Sequence, residues 1–318
     1  MTGSRRPPDD PSESTPPSPA GPVPASPAGA VAPSPVEPVA QAPVAPSSAE
    51  PVAPSAVEPV PSLLVEPVAS LPVAPVPGEC QIWRLPIGPA HWAGLDVLDE
   101  EERQRHARFR LAADRDRYQA AHVGVRVLLG HYLGVPADRI TFSRHCRHCG
   151  AGHGKPVVDQ PSTKLDFSLT HSGGWVALAV AADPVGLDVQ ELTDGTDVTA
   201  LSGAVLSPAE LRWWSAQPAE SARRAFFGYW ARKEALLKAT GHGLAVPMNR
   251  ITLTPPDEPA RLLDWAADTP LDAPVQLHDL DAGPDYTAAV AVLTSLPVRI
   301  SRAELPAPLA AAPPPGPA

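Results

Sequence analysis

Three side chains in Trp230-Ala-Arg-Lys-Glu-Ala-Leu-Leu-Lys238 are placed for phosphate chemistry: Lys233, Glu234 and Lys238. On a helix, Trp230, Glu234 and Lys238 fall at i, i+4 and i+8 and share one face, while Lys233 lies about 100° round from Glu234. A carboxylate between two ammonium groups can hold a divalent cation while the ammoniums take phosphate oxygens. The plainer alternative is a solvated Glu–Lys pair on a surface helix, worth about 0.3–0.5 kcal/mol. A second acid, Asp188, sits at the centre of the apolar run Val185-Gly-Leu-Asp-Val189. An acid inside a strand is costly unless it is paired or bound to metal; the alternative is an acid at a strand end that caps a neighbouring turn.

The elements that must carry these groups follow from pattern. Phe226, Phe227, Trp230, Leu236 and Leu237 recur at near-helical spacing, and Gly241, Gly243 and Pro247 mark where that helix stops. Val176–Ala182 reads as a buried strand, Asp183-Pro184 as a turn, and Val185–Val189 as the strand bearing Asp188. Leu165, Phe167 and Leu169 alternate, which predicts a strand with one buried face that delivers Thr170-His171-Ser172 into a glycine turn. A lone histidine there is by itself as well explained by a structural hydrogen bond. Cys80–Leu85 is a first strand. A polar helical stretch over 101–126 carries Arg103, Arg105, Arg108, Arg110, Arg115, Arg117 and Arg126, either a solvated basic face or a phosphate site, since guanidinium forks match phosphate oxygens. Ala120–Leu133 is a buried helix ended by Gly134 and Pro136. Ser207, Pro208 and Glu210 form a helix start, after a polar loop between Gln190 and Leu206. Leu244–Leu253, Val275–Leu280 and Tyr286–Leu293 read as strands, with a turn at Ala282-Gly283-Pro284.

Composition bounds the rest. Of the chain's 318 residues and 44 prolines, the first 77 residues hold 22 prolines, and Val-Glu-Pro-Val recurs at 36–39, 57–60 and 65–68. Proline removes a backbone donor and forbids helix and central strand, so 1–77 reads as a disordered or polyproline-like segment. A proline-rich adaptor role is one alternative for it. The Ala- and Pro-rich tail at 303–318 reads the same way. Arg5-Arg6 has no apolar run after it and does not make an export signal. No run of apolar residues is long enough to span a membrane, and three cysteines give no disulfide framework, which together suggest the cytoplasm. A formal net charge of −10 argues against general nucleic-acid binding but leaves room for a local basic patch. Cys146-x-x-Cys149 with His145, His148 and His153 could be half a zinc site. A glycine-rich loop with incidental cysteines is the preferred reading, because no second Cys-x-x-Cys exists.

Gly-Leu-Asp-Val-Gln190 and Trp230-Ala-Arg-Lys-Glu-Ala-Leu-Leu-Lys-Ala-Thr-Gly-His-Gly-Leu244, in that order and about forty residues apart, resemble the signature pair of 4′-phosphopantetheinyl transferases of the surfactin-synthetase-activating type. The likeness runs over roughly 80–300 and includes Gly154-Lys155-Pro156 and Leu169-Thr170-His171-Ser172. It implies an α+β chain of two pseudo-symmetric subdomains, 78–184 and 185–302, with the site between them. It implies Mg²⁺-dependent transfer of phosphopantetheine from coenzyme A to a serine of an apo acyl or peptidyl carrier protein. Asp188 and Glu234 would then be metal ligands, with Gln190, where the family has a second strand acid, as a third. Glu234, Lys238, His171 and Lys233 would serve catalysis. Arg117, Tyr118, Arg103, Arg105, Lys155, Pro156, His171, Ser172, Lys233 and Lys238 would hold the coenzyme. A monomer is expected from the paired halves. Gln190 keeps one alternative open, a non-catalytic module that binds coenzyme A or a carrier protein.

Overall fold

The computed structural model describes residues 73–304 except 89, 90, 93, 148 and 153. In chain order the elements are β1 (Glu79–Arg84), α1 (Glu100–Arg108), α2 (Ala112–Leu133), β2 (Thr141–Arg144), β3 (Pro156–Gln160), β4 (Asp166–Ser172), β5 (Trp175–Ala181) and β6 (Val185–Glu191). There follow α3 (Val198–Val205), α4 (Pro208–Ser215), α5 (Ala219–Thr240), β7 (Ile251–Leu253), β8 (Leu262–Trp265), β9 (Val275–Leu280), β10 (Tyr286–Leu293) and β11 (Arg299–Glu304). No described helix is long and apolar enough to cross a membrane.

Two related halves are evident. Each lays a 22-residue helix, α2 or α5, over one face of a sheet. Each helix ends on a glycine in the left-handed region, Gly134 at φ 64° and Gly241 at φ 70°, where a Cβ would be strained. The first sheet has the order β11-β1-β5-β4 and the second β6-β10-β9. Val176, Leu178 and Val180 of β5 join the core under α2, while Ala289 and Ala291 of β10 join the core under α5. The opposite faces meet: Cys80, Ile82, Ala177 and Ala179 pack with Val185, Leu187, Val189 and Val290. The order of layers is therefore helix, sheet, sheet, helix, and strands buried on both faces read as continuous apolar runs.

The two sheets are joined along one edge by side chains. Backbone N–H groups of Val185, Leu187, Val189 and Glu191 on β6 donate to Asp166 Oδ2 (2.8 Å), Ser168 Oγ (2.9 Å), Thr170 Oγ1 (3.2 Å) and Ser172 Oγ (3.0 Å) on β4. Every second residue of β4 thus supplies an acceptor to an edge that would otherwise leave buried donors unpaired. The expected single buried face of β4 is corrected here: Ser168 and Thr170, on the polar side, are as buried as Phe167.

Other expectations change in detail. The polar helix over 101–126 is two helices, broken at Phe109–Leu111. The region read as a loop before Leu206 contains α3, whose first N–H groups, from Thr199 and Ala200, are capped by Asp197 Oδ1 at 3.1 and 3.0 Å. Residues 244–253 are mostly single 3-10 turns before the short β7, consistent with Gly243 and Pro247. A boundary at 302 does not follow the sheets, because β11 returns to the first half and pairs in parallel with β1, from Glu79 opposite Arg299 to Arg84 opposite Glu304. The expected disordered segment lies outside the described residues as far as 72. From Val73 the chain takes part in the fold, Val73 accepting a bond from Gln81 Nε2 at 2.9 Å.

Ser168→Ala leaves the Leu187 N–H buried without an acceptor and is expected to lower the free energy of unfolding by about 1–3 kcal/mol in urea. Ser172→Ala, at the more open end, is expected to cost less. Equal and negligible losses at both positions would mean that the side-chain seam carries no weight.

Candidate functional site

Gly186, Asp188 and Gln190 are the β6 residues on the side that faces α5. A Cβ at Gly186 would overlap the Ala235 carbonyl and the Ala239 amide of that helix. The absent side chain lets helix and strand touch at Ala235 and Ala239, the residues that directly follow Glu234 and Lys238. Asp188, only 3% exposed, is therefore met by donors on three sides. Lys238 Nζ lies 2.6 Å from its Oδ1, Gln190 Nε2 donates to its Oδ2 at 2.7 Å, and Thr170 Oγ1 donates to Oδ1 at 3.2 Å. Glu234 shares the field: burial first, and then the charge on Asp188, push its pKa above the usual carboxylate value, with Lys238 opposing.

His171, at the end of β4, is exposed at its edge yet crowded by cations. Burial holds its pKa below the ordinary value, aided by Arg117, Lys238 and His122, while Asp188 works the other way. The turn after it is pinned by Arg117 Nε, which donates to Gly173 O at 3.0 Å, and by Tyr286 Oη, which accepts from Gly174 N–H at 3.0 Å. The structure thus brings Asp188, Glu234, Lys238, Gln190, His171 and Arg117 together from β6, α5, β4 and α2. Glu191 points to the other side of β6, where it accepts from Tyr286 Oη at 3.0 Å.

Six predicted contributors stand elsewhere or are already engaged. Lys233 is a correction: its ammonium is wholly buried, paired with Glu210 and bonded to Val205 O (2.7 Å) and Met248 O (3.1 Å). The helical turn of about 100° from Glu234 carries it into the core behind α5. Burial pushes its pKa down to about 8 against the pull of Glu210. Tyr118 is a second correction. It is buried, stacks on His122 with ring centroids 3.9 Å apart, and has its phenol pushed up to about 12 by desolvation. Arg103 is tied to Glu100 at 3.0 Å and to Leu98 O. Arg105 lines a separate surface cleft with Glu101, Gln104, Arg108 and Phe109. Ser172 and Lys155 belong to the seam between the sheets: Lys155 Nζ pairs with Asp166 and donates to Val185 O at 2.8 Å. Lys155 and Pro156 also line, with Lys238, Leu237 and Gly241, a cavity of about 640 Å³ beside the acids. Cys146 and Cys149 border the same cavity, while the zinc alternative also needs His153 and either His145 or His148, of which His148 and His153 lie outside the described residues. Sequence reasoning missed the pairing of Glu102 Oε1 with His122 Nδ1, 2.9 Å apart. They sit 20 positions apart on two helices, and no spacing rule links them.

Among the described residues no group of three or more His, Cys, Asp and Glu side chains is spaced to hold a metal ion. The centre offers two carboxylates and one amide, in a cleft rimmed by an ammonium, an imidazole and a guanidinium. Such a site handles phosphate groups, with or without a dication to relieve the repulsion between its acids.

The class follows from comparison with known proteins. Residues 83–183 match the model of the "4'-phosphopantetheinyl transferase, N-terminal" family, and residues 184–291 match that of the "4'-phosphopantetheinyl transferase superfamily". The seam between the two matches falls in the β5–β6 turn. The chain is 33% identical over 191 residues to the 4'-phosphopantetheinyl transferase HetI of Nostoc sp., covering 58% of this chain and 78% of that one. It is 25% identical over 224 residues to a putative 4'-phosphopantetheinyl transferase of Synechocystis sp., covering 68% and 87%. A third relative, psf-1 of Bacillus pumilus, is 35% identical over 153 residues, covering 48% and 61%. The chain belongs to the 4'-phosphopantetheinyl transferase family and is an enzyme of that class.

Lys233→Met removes one partner of a buried pair and is expected to cost about 3–5 kcal/mol of stability. The KM of the folded fraction for its phosphate-bearing substrate should stay at the wild-type value. A raised KM with unchanged stability would put this ammonium in the cleft after all.

Proposed function

We propose that the enzyme transfers 4′-phosphopantetheine from coenzyme A to a serine hydroxyl of an apo acyl or peptidyl carrier protein, releasing 3′,5′-ADP, with Mg²⁺ as cofactor. The observation that carries this is the convergence of Asp188 and Glu234 with Lys238, His171 and Arg117 in one cleft beside a cavity large enough for a nucleotide. Family membership supplies the group transferred; the charges supply the means.

In the reaction the serine oxygen bonds to the phosphorus that bears the pantetheine arm, and the bond from that phosphorus to the bridging oxygen breaks. The bridging oxygen leaves on 3′,5′-ADP with the electron pair. The chemical demand is stabilisation of charge on the diphosphate oxygens and removal of one proton from serine. Lys238, His171 and Arg117 face those oxygens. His171 is well suited as a neutral hydrogen-bond donor, since its surroundings disfavour the charged form. Glu234 takes the serine proton, and its raised pKa makes it a better base than an exposed carboxylate.

The donor set fits a hard dication: Asp188 and Glu234 would hold it, and the amide oxygen of Gln190 or a water would stand where the family motif has an acid. When bound, Mg²⁺ supplies charge neutralisation at the diphosphate. Lys238 and Gln190 hold Asp188 in place from the protein side, so the strand acid is oriented before any ligand arrives.

Mass spectrometry of an apo carrier protein incubated with coenzyme A tests this reading. Wild-type enzyme is expected to add one phosphopantetheine with Mg²⁺ and none after chelation. Asp188→Ala and Glu234→Ala are each expected to lower the rate by about 10²-fold or more, the scale for loss of an electrostatic or proton-transfer group. Transfer at the wild-type rate by either variant would remove that residue from the mechanism.

A further inference from the structure

We propose that Tyr286 is a positioning residue for the transfer: its hydroxyl, backed by Glu191, holds the β4–β5 turn so that His171 meets the diphosphate of the donor. The inference rests on the coenzyme A reading above and adds to it a residue that the sequence shows only as the start of a strand.

His171 sits close to the end of a hairpin. β4 and β5 pair as far as Ser172 opposite Trp175, and the two residues between, Gly173 and Gly174, bring no side chain to pack. Gly173 is in the left-handed region at φ 53°. A turn built in this way is loose unless other elements hold it. From α2, Arg117 Nε donates to Gly173 O at 3.0 Å. From β10, Tyr286 Oη accepts the Gly174 N–H at 3.0 Å, and the same hydroxyl donates to Glu191 Oε1 on β6 at 3.0 Å. The backbone N–H of Glu191 donates in turn to Ser172 Oγ at 3.0 Å. One phenol thus acts as donor and acceptor at once. Glu191 grips the turn at both ends, directly at Ser172 and through Tyr286 at Gly174. The fit is close: a Cβ on Gly173 would lie 2.4 Å from Glu191 Oε1 and 2.6 Å from Tyr286 Oη.

The place of this pair gives its role. Tyr286 and Glu191 stand opposite each other on β10 and β6, and Glu191 follows Asp188 by three residues on the same strand. The strand that carries one acid of the cleft therefore also sets how far the His171 turn stands from that acid. Packing alone asks less of Tyr286. Its ring lies tilted against Trp175 with centroids 6.1 Å apart, a contact that phenylalanine would make equally well. The hydroxyl adds nothing to that contact, and both of its hydrogen bonds serve the turn. Groups that act on a reacting centre must be held within about 0.5 Å of their productive places, and a shift of about 1 Å can cost on the order of 10²-fold in rate.

The test is steady-state transfer from coenzyme A by Tyr286→Phe, His171→Ala and the double variant, read by the mass of the carrier protein. Tyr286→Phe keeps the ring, and its Tm is expected to stay within about 4 °C of wild type. Its kcat is expected to fall about tenfold while KM for coenzyme A stays within about twofold. Because the hydroxyl acts through His171, the same substitution in the His171→Ala background is expected to change kcat by less than about twofold. Glu191→Ala should lower kcat in the same direction, and Glu191→Gln, which still offers the hydroxyl an acceptor, should recover most of that loss. An unchanged kcat in Tyr286→Phe, or the same tenfold loss with and without His171, would overturn the assignment. If the double variant folds poorly, the Glu191 pair decides, and equal rates in its two variants would overturn it. Wild-type enzyme that transferred nothing from coenzyme A would instead overturn the coenzyme reading itself.

Discussion

Everything at this site depends on how β4 is held against β6. Four side-chain acceptors, from Asp166 to Ser172, meet four backbone donors, from Val185 to Glu191, at a constant offset along the two strands. A slip of one residue would turn the β4 hydroxyls away and leave buried N–H groups unpaired, at about 1–3 kcal/mol each. That penalty fixes the register. The register in turn puts Thr170 against Asp188 and His171 at the cleft, so the halves of the molecule are joined by the same bonds that assemble the chemistry.

The second constraint is the contact of α5 with Gly186. Helix and strand approach so closely there that the neighbouring acid and ammonium of the helix, Glu234 and Lys238, must share space with an acid from the strand. The motif's two lysines then have opposite fates. Lys238 stays in the cleft as a partner for Asp188. Lys233, one position before Glu234, passes through to the other side and locks α5 to α4 through Glu210, which also caps α4 and accepts the Leu253 N–H at 2.8 Å. One helix thus carries reactive charge on one face and a buried structural pair on another.

Much of this was legible in the residues. The apolar spacing of α5, the run of β5, the acid at Asp188 and the left-handed glycine at 241 all declare themselves in local pattern, because each is decided within a few positions. Arg117 could be picked from its neighbours only with the family motif in view. What stayed hidden was decided at long range. The Ser168–Thr170 side of β4 looks like a solvated face until β6 arrives to need its hydroxyls. Glu210 announces a helix cap and gives no hint of Lys233. β11 pairs with a strand 220 positions away, Glu79 opposite Arg299, which no local rule anticipates. Glu102 and His122 are ordinary helix residues until α1 folds onto α2.

The central claim is that Asp188 on the strand and Glu234 on the helix form one cation site. Mn²⁺ titration followed by electron paramagnetic resonance reads this without turnover. Wild-type protein should take up one Mn²⁺, while Asp188→Asn and Glu234→Gln, each still folded by circular dichroism, should both lose it. Full Mn²⁺ uptake by either variant would show that the two acids do not share a cation, and the account would fall.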